Sequence, residues 1–146
     1  MVTIEFNKVD DEYGCFSNFA PYSIELMNRT WPTSEHYFQA QKYMEADVRE
    51  EIRNEPSPQK ASITGRESKK PPRSDWKYVK EGVMGEAVMA KFLQYPELKE
   101  ILMASGSSEL VYHTRSDGYW GDGMDGSGKN MLGQILMEVR EIIRKI

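Results

Sequence analysis

A chain with one cysteine, two histidines and no long apolar run has closed off several kinds of chemistry before any motif is considered. Cys15 alone cannot form an internal disulfide, and His36 and His113 beside a single thiol make a poor ligand set for zinc. No serine lies in the strand–turn–helix setting of a nucleophile elbow, so serine and cysteine triads have little support. Nothing approaches the roughly 18 consecutive apolar residues that a membrane helix needs, and no cleavable apolar leader follows Met1. These scarcities point to a reducing, cytoplasmic setting, with no metal, no cofactor and no membrane partner. What is present, 146 residues of which 39% are hydrophobic, suffices for one domain over residues 1–146 that buries most of its apolar surface. There is no internal repeat and no low-complexity tract.

The net charge is −4, but its sign is uneven along the chain. Between residues 66 and 80, six cations (Arg66, Lys69, Lys70, Arg73, Lys77 and Lys80) face only two carboxylates, Glu67 and Asp75. A basic patch this small suits a phosphorylated metabolite or a nucleotide better than long duplex nucleic acid, which draws on a wider cationic footprint. A solvated lysine-rich linker before a helix is the simpler alternative.

The hydrophobic pattern predicts a mainly α fold, an α+β domain in which a small N-terminal sheet or hairpin precedes a series of helices. Thr3 to Phe6 and Tyr22 to Leu26 alternate like short strands, and residues 27–30 read as a turn. Helical spacing follows at about Ser34 to Met44, Asp47 to Asn54, Pro58 to Ile63, Ser74 to Gln94 and Pro96 to Ala104. A short extended piece, Leu110 to Tyr112, then leads towards a last helix from Asn130 to Ile146. That helix is strongly amphipathic, with Leu132, Ile135, Leu136, Val139, Ile142 and Ile143 on one stripe.

Two segments carry chemistry. In Trp31-Pro32-Thr33-Ser34-Glu35-His36-Tyr37-Phe38-Gln39-Ala40-Gln41-Lys42, Thr33 or Ser34 can cap a helix whose first turn holds Glu35. Glu35, Phe38, Gln39 and Lys42 then fall on one stripe, which either lines a pocket or forms a solvated face with Tyr37, Ala40 and Gln41 turned inward. The second segment, Asp117 to Asn130, packs five glycines around Tyr119, Trp120 and three aspartates. Such a loop running into a helix N-terminus could offer N–H groups to phosphate or carboxylate oxygens. It could equally be a structural turn in which Tyr119 and Trp120 cover the core. Gly123 to Asn130 is one residue short of a Walker A loop and lacks its hydroxyl, and the aspartates lack EF-hand spacing. What remains is carboxylate chemistry beside aromatic rings. A carboxylate can stabilise an oxocarbenium-like sugar carbon or activate water, while another acid protonates the leaving atom and indoles stack on a flat base.

Taken together, these residues resemble the NADAR, or YbiA-like, family. The resemblance runs through Phe16-Ser17-Asn18-Phe19, the Trp31 to Lys42 segment, Gly65-Arg66, Asp75-Trp76 with Lys80 and Met84, and Lys91-Phe92. It continues through Asp117-x-Tyr119-Trp120-Gly121 and Asn130-x-Leu132-Gly133 to Leu136, Met137 and Arg140, and so covers nearly the whole chain. It implies a mainly helical single domain that hydrolyses N-glycosidic bonds. In the bacterial members the substrates are ribosylamino-pyrimidine phosphates, early riboflavin intermediates, cleaved to release ribose 5-phosphate. Other relatives remove ADP-ribose from guanine bases, the one alternative with a nucleic-acid partner, and a non-catalytic ADP-ribose-binding module is a further alternative. Carried over by position, the resemblance makes Glu35 and Asp117 catalytic. It puts Trp76, Trp120, Tyr119, Asn18, Lys42, Arg66 and Asn130 in contact with a small-molecule substrate.

Overall fold

The computed structural model describes residues 2–146. Among the described residues there are six α-helices and four short strands, and no helix is long and apolar enough to cross a membrane. The chain divides into two compact units, one of residues 21–91 and one of residues 1–20 with 92–146.

The unit of residues 21–91 opens on a hairpin, β1 (Ile24–Leu26) and β2 (Arg29–Trp31), in antiparallel register with Ile24 opposite Trp31. Its turn is only two residues long. Met27 and Asn28 have φ of 56° and 58°, the mirror-image turn whose twist matches that of paired strands. Residues 29 and 30, read as turn from the sequence, are therefore already strand. Trp31 locks the hairpin by donating from Nε1 to Leu26 O at 2.9 Å, and its buried ring meets Tyr37 edge-on at 5.3 Å. This contact aims the chain into α1 (Ser34–Ala40), capped by Thr33, whose Oγ1 accepts from His36 N at 3.2 Å.

α1 stops four residues earlier than its periodicity predicts. Lys42 N and Tyr43 N bond to Gln39 O and Ala40 O, so tighter i→i+3 turns end the helix. α2 (Ala46–Arg53) and α3 (Pro58–Glu67) both pack on α1. Ser57 caps α3 by accepting from Lys60 N at 3.1 Å, with Pro58 in the first turn. α3 runs to Glu67, through Gly65, whose α-carbon lies against Gln39 so closely that an added Cβ would sit 2.8 Å from Gln39 Cβ. Here glycine sets a helix crossing and does not interrupt a helix. α4 (Trp76–Gln94) starts two residues after the predicted start at Ser74 and buries Val83, Met84, Ala87, Val88 and Ala90.

In the other unit, β3 (Thr3–Phe6) and β4 (Glu109–Tyr112) form a parallel pair with Phe6 opposite Tyr112; by position along the chain β3 precedes the hairpin. The expected opening sheet of residues 3–6 with residues 22–26 is thus two separate pairings. A parallel partner needs a long crossover, and a partner more than 100 residues away leaves no local signal. α5 (Pro96–Ala104) and β4 both contact α6 (Met131–Arg144), which buries Leu132, Ile135, Leu136, Val139 and Ile143, while Ile142 faces solvent. Phe16 joins Phe6 and Phe92 at ring distances of 5.7 and 5.8 Å.

Asn130 fixes the start of α6. It sits in the left-handed region with φ 52°, its Oδ1 accepts from Tyr112 N and its Nδ2 donates to Leu110 O, both at 2.9 Å. The amide therefore pairs with β4 as a neighbouring strand's peptide would. Asn130→Ala should lower the free energy of unfolding by about 2–4 kcal/mol, from two lost bonds and a left-handed backbone kept without its side chain. Asn130→Gly should lose less, since glycine relieves the backbone. Urea melts check both, and a loss below about 0.5 kcal/mol for the alanine variant would contradict the bridge.

Candidate active site

All seven residues of α1 are buried, polar ones included. This excludes the solvated-face alternative: Ser62 and Gly65 of α3 lie against Glu35 and Gln39, and Trp76 lies against Phe38. Glu35 is 8% exposed and accepts from Gln39 Nε2 through Oε2 at 2.8 Å. Ser62 of α3 gives it a second side-chain hydrogen bond, and the charges of Arg66 and Lys42 act on it. Burial nevertheless wins and pushes the Glu35 carboxyl above its ordinary value, since the hydrogen bonds and cations offset only part of the lost hydration. Lys42 lies just beyond the helix, half-buried, with Nζ donating to Gly65 O at 3.2 Å. Burial holds its ammonium below the usual range, against the attraction of Glu35.

His36 explains how such a short helix is held. It is fully buried, with Nε2 3.0 Å from Glu55 O and Nδ1 2.8 Å from Thr33 Oγ1. A carbonyl can only accept, so the ring proton is on Nε2 and the Thr33 hydroxyl donates to Nδ1. Burial lowers the histidine's affinity for a second proton. The ring is a neutral brace between the helix cap and the chain before α3.

Trp76 reaches the same neighbourhood through the backbone. Arg73 N donates to Lys42 O at 2.7 Å, Arg73 Nε pairs with Asp75 Oδ1 at 2.6 Å, and the indole then lies 5.1 Å from the Phe38 ring. Within residues 21–91 the fold thus gathers Glu35, Lys42, exposed Arg66 and Trp76, together with two groups absent from the predicted site, Ser62 and Gln39. Gln39 shares the stripe of Glu35 in the sequence, whereas the signal for Ser62 was faint. Ala61-Ser62 and Gly65 are small residues on one face of α3, a pattern of close helix contact more than of chemistry.

Asn18, Asp117, Tyr119, Trp120 and Asn130 belong to the other unit. Asn18 is buried, next to Phe19, whose N–H bonds to Ser17 Oγ at 3.1 Å. Asp117 Oδ1 accepts from Tyr119 N and Trp120 N, each at 2.9 Å, so this carboxylate folds the turn that carries the two rings. Those rings meet edge-on at 4.9 Å, both part-exposed, with Lys129 Nζ 5.3 Å from the Tyr119 centroid.

Most of the loop's N–H groups are spent inside the loop and are not displayed to an anion. The N–H groups of Asp122, Gly123, Gly128, Lys129, Asn130, Met131 and Leu132 bond to carbonyls, of Tyr112 or of the loop itself. Those of Met124 and Ser127 bond to Asp122 and Asp125. Two of the glycines serve the same internal packing: a Cβ on Gly128 would lie 2.5 Å from Gly121 O, and one on Gly121 would lie 2.4 Å from the Thr114 side chain. Asn130 is likewise committed, its amide held by β4.

Among the described residues, the groups closest to a metal-ligand arrangement are Glu5, His113 and Asp122. They are organised as an ion pair. His113 Nδ1 lies 2.7 Å from Asp122 Oδ2, and Asp122 Oδ1 accepts from Thr114 N and Met124 N. The hydrogen bond to Asp122 raises the imidazole's pKa. Burial works against the Asp122 carboxylate, but the bonds from His113 and the two N–H groups hold it below its ordinary range.

The fold and this buried carboxylate define a helical domain with a polar site cut into its shortest helix, and the NADAR domain family model matches residues 5–144. The chain belongs to the NADAR domain family. It is 53% identical over 138 residues to N-glycosidase YbiA of Escherichia coli, covering 94% of this chain and 86% of that protein. It is 42% identical to N-glycosidase Npun_R5314 of Nostoc punctiforme, covering 99% and 95%. With riboflavin biosynthesis protein VVA0006 of Vibrio vulnificus it shares 40% identity over 97% of this chain and 39% of that protein. The NMR structure of the E. coli protein YbiA superposes with a TM-score of 0.92 at 51% identity, covering 99% of this chain and 86% of that one.

Glu35 makes stability depend on pH with a definite sign. The unfolded chain gives up this proton near 4.5, whereas the folded chain keeps it to higher pH, so folding loses stability as pH rises from 4.5 through the folded value. Glu35→Gln removes that loss while its amide oxygen still accepts from Gln39. The variant should be more stable than the parent at pH 7.5, with the gap closing below pH 4.5. Each unit of elevation corresponds to about 1.4 kcal/mol, or about 3–4 °C in Tm at this size, read by thermal melts across pH. A Tm at pH 7.5 equal to or below the parent's would contradict this account of Glu35.

Proposed function

We propose that this chain is an N-glycosidase that hydrolyses the bond between ribose and the amino nitrogen of ribosylamino-pyrimidine phosphates. The observation that carries the reading is Glu35: a carboxyl buried in α1, with an amide and a hydroxyl on it, two cations acting on it and an indole at the neighbouring Phe38. The names of the relatives support it, two being N-glycosidases and one a riboflavin biosynthesis protein.

In the proposed reaction the bond from C1′ to nitrogen lengthens and positive charge builds on the sugar carbon and ring oxygen. Glu35, ionised, stabilises that charge and takes a proton from the attacking water; the proton is delivered to the departing amine. Water and the substrate become ribose 5-phosphate and the free aminopyrimidine. Lys42 and Arg66, the cations that act on Glu35, suit the phosphate, and Trp76, which lies against Phe38, suits the flat base. Asp117 enters by way of its turn: it aims Tyr119 and Trp120, and proton transfer is not its part.

The assay is release of ribose 5-phosphate, run beside ADP-ribosylated guanine under the same conditions. Glu35→Gln should lose about 10²–10⁴-fold in kcat on the pyrimidine substrate with the fold intact; unchanged activity removes Glu35 from the mechanism. Faster turnover of the guanine adduct would overturn the substrate class and leave the bond type standing.

A second comparison separates the two carboxylates. Asn at position 117 keeps an oxygen for both N–H groups, so Asp117→Asn should retain activity within about tenfold, while Asp117→Ala, which unlatches the turn, falls much further. Asparagine as damaging as alanine would make Asp117 an acid after all.

A further inference from the structure

Gln39 is 6% exposed, and the two ends of its amide have opposite fates. Nε2 donates to Glu35 Oε2 at 2.8 Å, while Oε1 is buried without a hydrogen-bond partner. Turning the amide over would set its oxygen against the carboxylate, so Glu35 dictates the orientation. From the other side Gly65 closes the space: a Cβ there would meet Gln39 Oε1 at 2.2 Å. Gly65 O in turn accepts from Lys42 Nζ and from the Tyr43 hydroxyl, so the glycine is itself tied to the end of α1. An apolar side chain of the same length would fill this space with no stranded oxygen, and would be the better choice for packing alone. The glutamine therefore trades stability for its donor. Its position one helical turn after Glu35 lets that donor fix the rotation of the carboxyl plane and the direction in which the second oxygen points.

We infer that Gln39 is the positioning residue of the Glu35 carboxylate, its amide held in place by the α-carbon of Gly65. The inference rests on the reading of Glu35 as the reacting group. Gln39 does not touch substrate; it acts by holding one oxygen and by favouring the ionised form through a donated hydrogen bond. Gly65 has a part at one remove, because any side chain there must displace the amide.

The variants are Gln39→Met, which keeps length and drops the donor, and Gly65→Ala, which keeps the donor and displaces it. Two readouts are taken on each: ribose 5-phosphate release across pH, and titration of the Glu35 carboxyl carbon by NMR in protein labelled at glutamate, assigned with Glu35→Gln. Gln39→Met should lower kcat about ten- to a hundredfold with KM within about threefold. Its Glu35 resonance should titrate at higher pH than the parent's, the pH–kcat profile should move in the same direction, and Tm measured below pH 4.5, where Glu35 is protonated in both, should not fall. Gly65→Ala should shift the same two readouts the same way, with some loss of Tm. A Glu35 titration or a kcat in Gln39→Met equal to the parent's overturns the inference. Activity surviving in Glu35→Gln sinks the functional reading and this inference with it, whereas activity lost there but intact in Gln39→Met sinks the inference alone.

Discussion

Everything in the unit of residues 21–91 answers to one constraint, a carboxyl group buried on a helix of two turns. A seven-residue helix has no stability of its own in water, and an ionisable group taken out of water must find donors or give up its charge. The fold meets the first demand from three directions. Trp31 fixes the angle of entry, Thr33 and His36 lock the first turn, and Tyr43 and Lys42 tie the exit to Gly65 O. It meets the second only in part, through Gln39, Ser62 and two nearby cations, and leaves the carboxyl above its ordinary pKa. A fully satisfied carboxylate would be a poor base, and an unsatisfied one would be protonated. The intermediate arrangement leaves a group able to exchange a proton.

The two histidines brace the two units with opposite electrostatics. His36 is held neutral by burial, so the stability it lends is present above its unfolded value of 6.5 and is lost as pH falls from there through the depressed folded value. His113 is raised by Asp122, so its contribution is complete below 6.5 and is lost as pH rises through the elevated folded value. The two contributions are nearest to complete together around 6.5, above which that of His113 falls away. Neither ring is a free general base: one has both nitrogens engaged by Glu55 O and Thr33, and the other is paired to a carboxylate. Both histidines are thereby accounted for by architecture.

What the sequence disclosed and what it withheld divide along physical lines. Local signals were legible: the Thr33 cap, the Pro58 start and the amphipathic stripe of α6 all follow from interactions within a few residues. The burial of the Glu35 stripe was not legible, because its period fits a solvated face equally well and only the packing of α2 and α3 decides. The parallel pairing of residues 3–6 with 109–112 and the two-residue turn at Met27-Asn28 were hidden for the same reason. One depends on a distant partner, the other on a backbone conformation that methionine does not advertise. Ser62 and Gln39 stood in the open, but hydroxyls and amides acquire chemical meaning only from what they touch.

The glycine-rich loop shows how composition can suggest a wrong instrument for the right place. Dense glycine and aspartate imply backbone donors waiting for an anion, yet the aspartates and carbonyls nearby consume most of those donors. A backbone that has settled its own hydrogen bonds is rigid, and what it presents is side chain: the part-exposed Tyr119 and Trp120, set at right angles. Edge-to-face rings held on a fixed turn leave an aromatic face for a planar group, which matches a heterocycle far better than a phosphate. A loop that composition reads as an anion trap is, once its hydrogen bonds are traced, a frame that holds two aromatic rings.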